Sequence, residues 1–265
     1  MTEQTDGLAP WLKRDQLFVF LGLVLLAVIA WAYILHLNSA MSSGSMDSMI
    51  SDVAVPQMNQ WDIRDVATIA MMWSVMMIAM MLPSAAPMIL IFSTVNRKRQ
   101  LSGNPFVPAW IFLSGYLLVW IGFSLIATGG QWSLHNLSLI SPGMKIINPL
   151  VSGIVLIAAG IYQFTPIKDV CLKNCHSPFD FIMGKWRDGK AGAFFMGVQH
   201  GKYCVGCCWA FMILLFVGGV MNLLWVSIIA IFVFIEKVAY HQLSKVAGFL
   251  LVVWGADLII KIIIK

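Results

Sequence analysis

Long stretches of this chain contain no charged residue, and this spacing of charges most limits what it can fold into. Of its 265 residues, 60% are hydrophobic and 11% are charged. Because a charge in the hydrocarbon core of a bilayer is costly, charge-free runs of about 20 residues predict membrane-spanning helices. We therefore expect an all-α, polytopic membrane helix bundle in contact with lipid, and a water-soluble globular protein is excluded.

The interruptions between the apolar runs predict about seven spans, forming a single transmembrane domain over residues 1–265. The run from Gly192 to Tyr240 is too long for one helix, and Gly218-Gly219 is its natural break. The first span is expected to be an uncleaved anchor. Six spans is the alternative count. The predicted spans lie near residues 16–37, 66–93, 108–128, 148–166, 193–217, 221–240 and 243–264.

The distribution of basic residues predicts the orientation of the bundle. With the N-terminus in the cytoplasm, thirteen of the 17 Lys and Arg residues lie on the cytoplasmic side, as the positive-inside rule requires. A Met- and Ser-rich segment at residues 38–60 then faces outward as a flexible loop. The net charge of +5 is ordinary beside an anionic leaflet and does not suggest a nucleic-acid partner.

Four soft metal ligands are predicted to share one face of the fifth span. The string HGKYCVGCCW places His200, Cys204 and Cys208 at i, i+4 and i+8, with Cys207 three residues after Cys204. Thiolates and imidazole suit Zn(II), Cu(I) or an iron centre, and a metal would offset the cost of burying them. The alternative is that these cysteines are small apolar packing residues. Their clustering favours a metal or redox site.

A second cysteine pair follows the fourth span. Pro166 is expected to begin a helix on which Cys171 and Cys175 face the same way. On the cytoplasmic side thiols stay reduced, so metal ligation is favoured over a structural disulfide. All five cysteines lie between residues 171 and 208. We expect the intervening chain to fold this pair against the cytoplasmic mouth of the fifth span.

Methionines form rows along the second span. Met72, Met76 and Met80 advance four residues at a time, and Met77 and Met81 form a parallel row. Thioethers select Cu(I) over harder ions. We therefore predict that the rows share a soft-metal site or path with the cysteines, with copper favoured and zinc or iron as alternatives. Packing against another helix is the other interpretation.

Prolines and charges inside the spans give further expectations. Pro83 and Pro87 are expected to kink or unwind the second span and to leave carbonyls that need protein partners. Lys237 is expected to snorkel to the interface. Glu236 is a candidate to relay protons or to pair with Lys202.

Two spacings predict particular contacts between side chains or helices. Asp257 and Lys261, at i and i+4, are expected to form an ion pair. Gly197 and Gly201 form a GxxxG pattern that lets the fifth span approach a neighbour closely. Both contacts are explained by packing alone.

Three strings together resemble a known family: AMMLPSAAP (Ala79–Pro87), YQFTPIKDVCLKNC (Tyr162–Cys175) and GVQHGKYCVGCCWAFM (Gly197–Met212). The chain is similar to a bacterial family of predicted metal-binding integral membrane proteins, a domain of unknown function. The resemblance covers roughly residues 67–245 and implies a metal-binding protein of the bacterial inner membrane. The residues to which it points are Met80, Met81, Pro83, Cys171, Cys175, Cys204, Cys207 and Cys208.

These features favour soft-metal handling, as transport or as delivery to a membrane enzyme. One alternative is an accessory or scaffold subunit of a larger membrane complex, with the Met surface packed on partner helices. Another is a membrane thiol-disulfide oxidoreductase that uses the CxxC from Cys204 to Cys207; it ranks last because quinone-linked enzymes of that class expose their dithiols to the oxidising side. The chain has no P-loop, hydrolase elbow or zinc-protease helix, which favours a non-enzymatic role.

Overall fold

The computed structural model describes residues 8–42, 62–141, 144–238 and 242–264, and these are almost entirely helical. This confirms the predicted all-α class. Within the described residues the helices are α1 (Leu8–Ser42), α2 (Ile63–Leu101), α3 (Ala109–Asn136), α4 (Pro149–Tyr162), α5 (Pro166–His176), α6 (Pro178–Lys185), α7 (Gly189–Ile213), α8 (Leu215–Gly218), α9 (Leu223–Val238) and α10 (Leu243–Ile263).

Five described segments are long and apolar enough to cross a membrane: most of α1, then α2, α3, the joined α7 and α8, and α10. A sixth is formed if α4 and α5, which are bent by 64° relative to each other, make one broken span. The 16 residues of α9 extend about 24 Å, which is shorter than the hydrocarbon core of about 30 Å. The membrane character is therefore supported, whereas seven spans and the cytoplasmic N-terminus stay predictions.

Both prolines of the second span lie within the continuous helix α2, so the helix is not unwound there. Pro83 has no N–H to offer the carbonyl of Ala79, one turn earlier. The indole N–H of Trp31 on α1 donates to that carbonyl at 3.2 Å. The expected protein partner for a freed carbonyl is thus supplied by α1. Helix α1 extends through residues 38–42, which the sequence predicts to belong to the outer loop. The following residues of that loop, 43–61, lie outside the described residues.

Glycines bring α3 and α7 into backbone contact, as the GxxxG spacing predicts. A Cβ atom at Gly197 would collide with the carbonyl oxygen of Phe112, and one at Gly201 would lie 2.9 Å from the Cβ of Val119. Only glycine permits this approach. It brings the next turn of α3, with Tyr116, against the cysteine-bearing face of α7.

We expect Gly197→Ala to lower the free energy of unfolding by about 1–3 kcal/mol, because the added methyl group forces the two backbones apart. Gly122→Ala is the matched control, since a Cβ atom there meets nothing within 4 Å. Thermal unfolding of the two detergent-solubilised variants measures the difference. Equal melting temperatures for Gly197→Ala and the wild type would contradict the close contact.

The helices α4 and α10 form a second glycine-mediated pair. A Cβ atom at Gly160 would lie 2.8 Å from the carbonyl oxygen of Gly248, and one at Gly255 would lie 2.7 Å from that of Gly153. Near the end of α10, Lys261 donates to Asp257 at 2.6 Å, which confirms the predicted ion pair. This packing pairs α10 with α4, the helix that leads into α5.

A polar contact outside the apolar spans joins the end of α2 to the beginning of α7. Arg99 pairs with Asp188 at 2.6 Å, and the indole of Trp186 donates to the same carboxylate at 2.8 Å. The Trp186 hydrogen bond, together with the Arg99 charge, holds the pKa of Asp188 below its usual value. The contact links the last turn of α2, which carries the Met rows, to the beginning of α7, which carries three of the cysteines.

Candidate metal centre

Helix α7 carries the four predicted ligands on its buried face. His200, Cys204, Cys207 and Cys208 are all buried, as the periodicity predicts. The thiols of Cys207 and Cys208 donate to the carbonyl oxygen of Cys204 at 3.1 and 2.9 Å. Because both side chains are turned back onto the same carbonyl, their sulfurs stand side by side on one surface of the helix.

The first of two sulfur pairs joins α7 to α5. The Sγ atom of Cys207 lies 4.0 Å from the Sγ atom of Cys175, and both residues are buried. Pro166 begins α5, as expected, and the side chain of Thr165 caps the helix by accepting from the backbone N–H of Lys168. A metal–thiolate bond is about 2.3 Å long, so two sulfurs that share one ion are at most about 4.6 Å apart. The observed spacing meets that limit.

The second sulfur pair joins α7 to α2. The Sγ atom of Cys208 lies 3.8 Å from the Sδ atom of Met81, and both side chains are fully buried. A thiol and a thioether at this separation are also within the reach of one metal ion. Since Cys207 and Cys208 are adjacent in sequence, the two pairs meet on the same turn of α7.

Two further side chains reach Cys204 from other helices. The ammonium of Lys237 on α9 donates to the Sγ atom of Cys204 at 2.9 Å. The hydroxyl of Tyr116 on α3 is 3.2 Å from the same sulfur and donates to the carbonyl of Met81 at 3.2 Å. Cys204 is therefore held by polar contacts, whereas its neighbours form the sulfur pairs.

Lys237 does not snorkel, which corrects the expectation from the sequence. It is 5% exposed and also contacts the hydroxyl of Ser84 at 3.3 Å and the sulfur of Met81 at 3.9 Å. These acceptors on α2, together with Cys204 on α7, satisfy the ammonium inside the protein. The charged head of a lysine usually reaches for water, and here these internal partners take the place of water.

Beside the cysteines lies a fully buried ion pair. Lys168 on α5 donates to Glu236 on α9 at 2.6 Å, and both side chains are 0% exposed. Glu236 thus pairs with Lys168, and the suggested pairing with Lys202 is wrong. Lys168 also donates to the amide oxygen of Gln163, and the hydroxyl of Ser244 donates to the carboxylate of Glu236. This network ties the helix of Cys175 to the helix of Lys237.

A family model described as PpoB2 copper chaperone matches residues 70–258, which is more than two thirds of the chain. The chain belongs to the PpoB2 copper chaperone family. The matched region begins within α2 and extends into α10, so it contains both sulfur pairs. No curated protein and no solved structure matches the chain. The family supports the copper-related part of the prediction made from the sulfur residues.

The two sulfur pairs of this PpoB2 family member consist of soft donors, three thiols and one thioether. Such ligands select Cu(I) over harder ions. Among the described residues, no group of three or more His, Cys, Asp or Glu side chains is arranged to hold a metal ion. In a chaperone, copper is the cargo and not a resident cofactor.

His200 is buried next to the cysteines but is surrounded by aromatic rings. Its imidazole stacks on Tyr116 with ring centroids 5.5 Å apart and meets the edge of Phe181 at 5.7 Å. The Nδ1 atom has no hydrogen-bond partner among the described residues. The structure thus buries this predicted ligand among aromatic rings, one helical turn before Cys204.

Some predicted ligands make no hydrogen bond to either sulfur pair. Cys171 is half-buried on α5, where its sulfur packs against Gly206, and it makes no hydrogen bond with the described residues. Met72, Met76 and Met80 are buried on α2. Their side chains make none of the sulfur contacts seen at Met81. Burial alone fits both packing and a metal path, so their ligand roles remain predictions.

Sequence reasoning missed Tyr116 and Lys237 as neighbours of the cysteines. The family resemblance pointed to Met81, but the spacing of the methionines alone did not separate it from Met77. The only signal for Lys237 is a charge at the end of an apolar run, which is also typical of a membrane interface. Tyr116 stands in an uncharged span with nothing to mark it. These three residues come from three different helices, and no local spacing relates them to the cysteines.

Proposed function

We propose that this protein is an integral membrane copper chaperone that receives Cu(I) as cargo and delivers it to an enzyme in the bacterial inner membrane. The proposal includes seven spans and a cytoplasmic N-terminus. One observation carries it: two sulfur pairs from different helices, Cys175 with Cys207 and Met81 with Cys208, converge on one turn of α7. Soft donors in a buried setting are the chemistry expected of a Cu(I) carrier.

The adjacency of the two pairs supports transfer by ligand exchange. Cu(I) held by Met81 and Cys208 can be passed to Cys207 and Cys175 with a sulfur ligand retained throughout. The side chains of Cys207 and Cys208 both contact the carbonyl oxygen of Cys204, so the copper ion passes between two adjacent residues of α7. Of the receiving pair, Cys175 lies on α5, which belongs to the cytoplasmic side in the proposed orientation.

The buried methionines of α2 provide the proposed approach to the site. Met72, Met76 and Met80 lead along α2 towards Met81, and all four are buried. A thioether binds Cu(I) without a proton to lose, so a row of them can accept and release the ion repeatedly. In this proposal Met72, Met76 and Met80 form the outer part of the copper path.

We expect the protein, purified under reducing conditions, to bind stoichiometric Cu(I) in competition with a chromogenic Cu(I) chelator, and Zn(II) far more weakly. Met81→Leu should weaken Cu(I) binding by about tenfold or more, because it removes a soft donor at nearly constant volume. Met71→Leu is the matched control, since Met71 on the same helix is 60% exposed. A wild-type protein that binds no Cu(I) would contradict the proposed function.

The scaffold alternative is not favoured by the position of the methionines. It needs the Met rows on the outside of the bundle, where partner helices could pack on them. Met72, Met76, Met77, Met80 and Met81 are instead at most 8% exposed within this one chain. The surface that motivated the alternative is therefore already covered by the protein's own helices.

A further inference from the structure

The ammonium of Lys237 is part of the sulfur cluster itself. Its three N–H groups face three acceptors, namely Cys204, Ser84 and Met81, at 2.9, 3.3 and 3.9 Å. One of them, Met81, is a member of a proposed copper-binding pair. Any cation bound through Met81 would therefore have a fixed positive charge as its neighbour.

No carboxylate among the described residues neutralises this charge by direct contact. The adjacent Glu236 is engaged by Lys168 and by Ser244. Lys168 and Glu236 balance each other, so the charge of Lys237 acts on the sulfur residues that its ammonium contacts. Burial keeps water from screening it.

A buried positive charge discriminates between cations by their charge. The repulsion that it exerts is proportional to the charge of the bound ion, so a divalent ion suffers about twice the penalty of a monovalent ion at the same place. With the effective dielectric constant of about 20 that describes protein sites, one extra unit charge a few ångströms away changes affinity by about tenfold or more.

We propose that Lys237 is the specificity-determining residue that makes this site select monovalent over divalent soft cations. The inference rests on the proposed function, because it concerns the same sulfur ligands. It adds to ligand softness a second, independent filter. Softness alone separates Cu(I) from hard ions but does not exclude Zn(II) or Cd(II), which also bind thiolates.

The test compares ions that share an electron configuration and differ by one unit of charge, Cu(I) with Zn(II) and Ag(I) with Cd(II). Their affinities are measured by chelator competition for the wild type, Lys237→Leu and Lys237→Arg. Leucine removes the charge without adding a donor, whereas arginine keeps the charge. Lys261→Leu is the control, since Lys261 is exposed and paired with Asp257.

We expect Lys237→Leu to lower the Cu(I)-to-Zn(II) affinity ratio by about tenfold or more, with a similar fall for Ag(I) over Cd(II). Lys237→Arg and Lys261→Leu should keep the wild-type ratios. Unchanged ratios in folded Lys237→Leu, or an equal loss in Lys237→Arg, would overturn the inference.

A measurement on the wild type alone covers the case in which Lys237→Leu does not fold. The Ag(I)-to-Cd(II) affinity ratio of the protein should exceed that of a small free dithiol in the same buffer, and an equal ratio would overturn the inference. If the wild type binds Cu(I) but lacks this preference, only the inference fails. If it binds no Cu(I), the proposed function fails and the inference fails with it.

Discussion

Replacing Glu236 with leucine is expected to lower the free energy of unfolding by about 3–5 kcal/mol, the usual cost of breaking a buried ion pair from one side. The substitution leaves the Lys168 ammonium buried without a counter-charge, since both side chains are 0% exposed. It also removes the acceptor for Ser244. The loss should appear as a large fall in the melting temperature of the solubilised protein.

The double variant Lys168→Met with Glu236→Leu separates the pair from its parts. Replacing both charges by apolar groups removes the unpaired ion, so most of the lost stability should return. Lys261→Leu serves as the control, because its ion pair with Asp257 is exposed and contributes at most about 1 kcal/mol. If Glu236→Leu has the same melting temperature as the wild type, Lys168 and Glu236 are not a buried ion pair.

Replacing Cys207 with serine is expected to weaken Cu(I) binding strongly, because it removes a proposed ligand. Residues that only support the ligands of a metal typically change its affinity by roughly 10- to 100-fold, and the loss at Cys207 should be larger. Cys207 is the α7 member of the pair with Cys175, so the variant leaves one thiol where two are needed. Serine is nearly the same size but offers a hard oxygen, which Cu(I) binds poorly. Cys175→Ser should have a similar effect.

Cys171→Ser is the matched control for these variants. Cys171 lies on the same helix as Cys175, yet it is half-buried against Gly206 and makes no hydrogen bond with the described residues. Chelator competition should therefore give it an affinity close to that of the wild type. An equal loss in Cys171→Ser and Cys207→Ser would mean that copper is not held by the pair seen in the structure.

The helices themselves follow from local rules that the sequence obeys. Charge-free runs predict where most of them lie, and the four-residue spacing of His200, Cys204 and Cys208 predicts their common buried face. The GxxxG of α7 predicts its close neighbour. The bend between α4 and α5 was not predicted as such, because Pro166 signals the start of a helix and not the angle to the preceding one.

The partners within the site depend on how helices are rotated against one another. Successive residues of a helix differ by about 100° in direction, so a modest rotation of α2 decides whether Met80 or Met81 faces Cys208. The choice of Lys168 over Lys202 for Glu236 likewise depends on α5 folding back beside α9. Such contacts join residues far apart in the chain, and spacing along a single helix carries no information about them.

X-ray absorption at the copper edge of the Cu(I)-loaded protein tests the proposed site most directly. For the wild type we expect a first shell of sulfur atoms only, at about 2.3 Å, the length typical of metal–thiolate bonds. In Cys207→Ser this shell should be lost or should gain oxygen or nitrogen. A wild-type shell made mainly of nitrogen or oxygen, or a sulfur shell unaffected by the loss of Cys207, would contradict copper binding between Cys175 and Cys207.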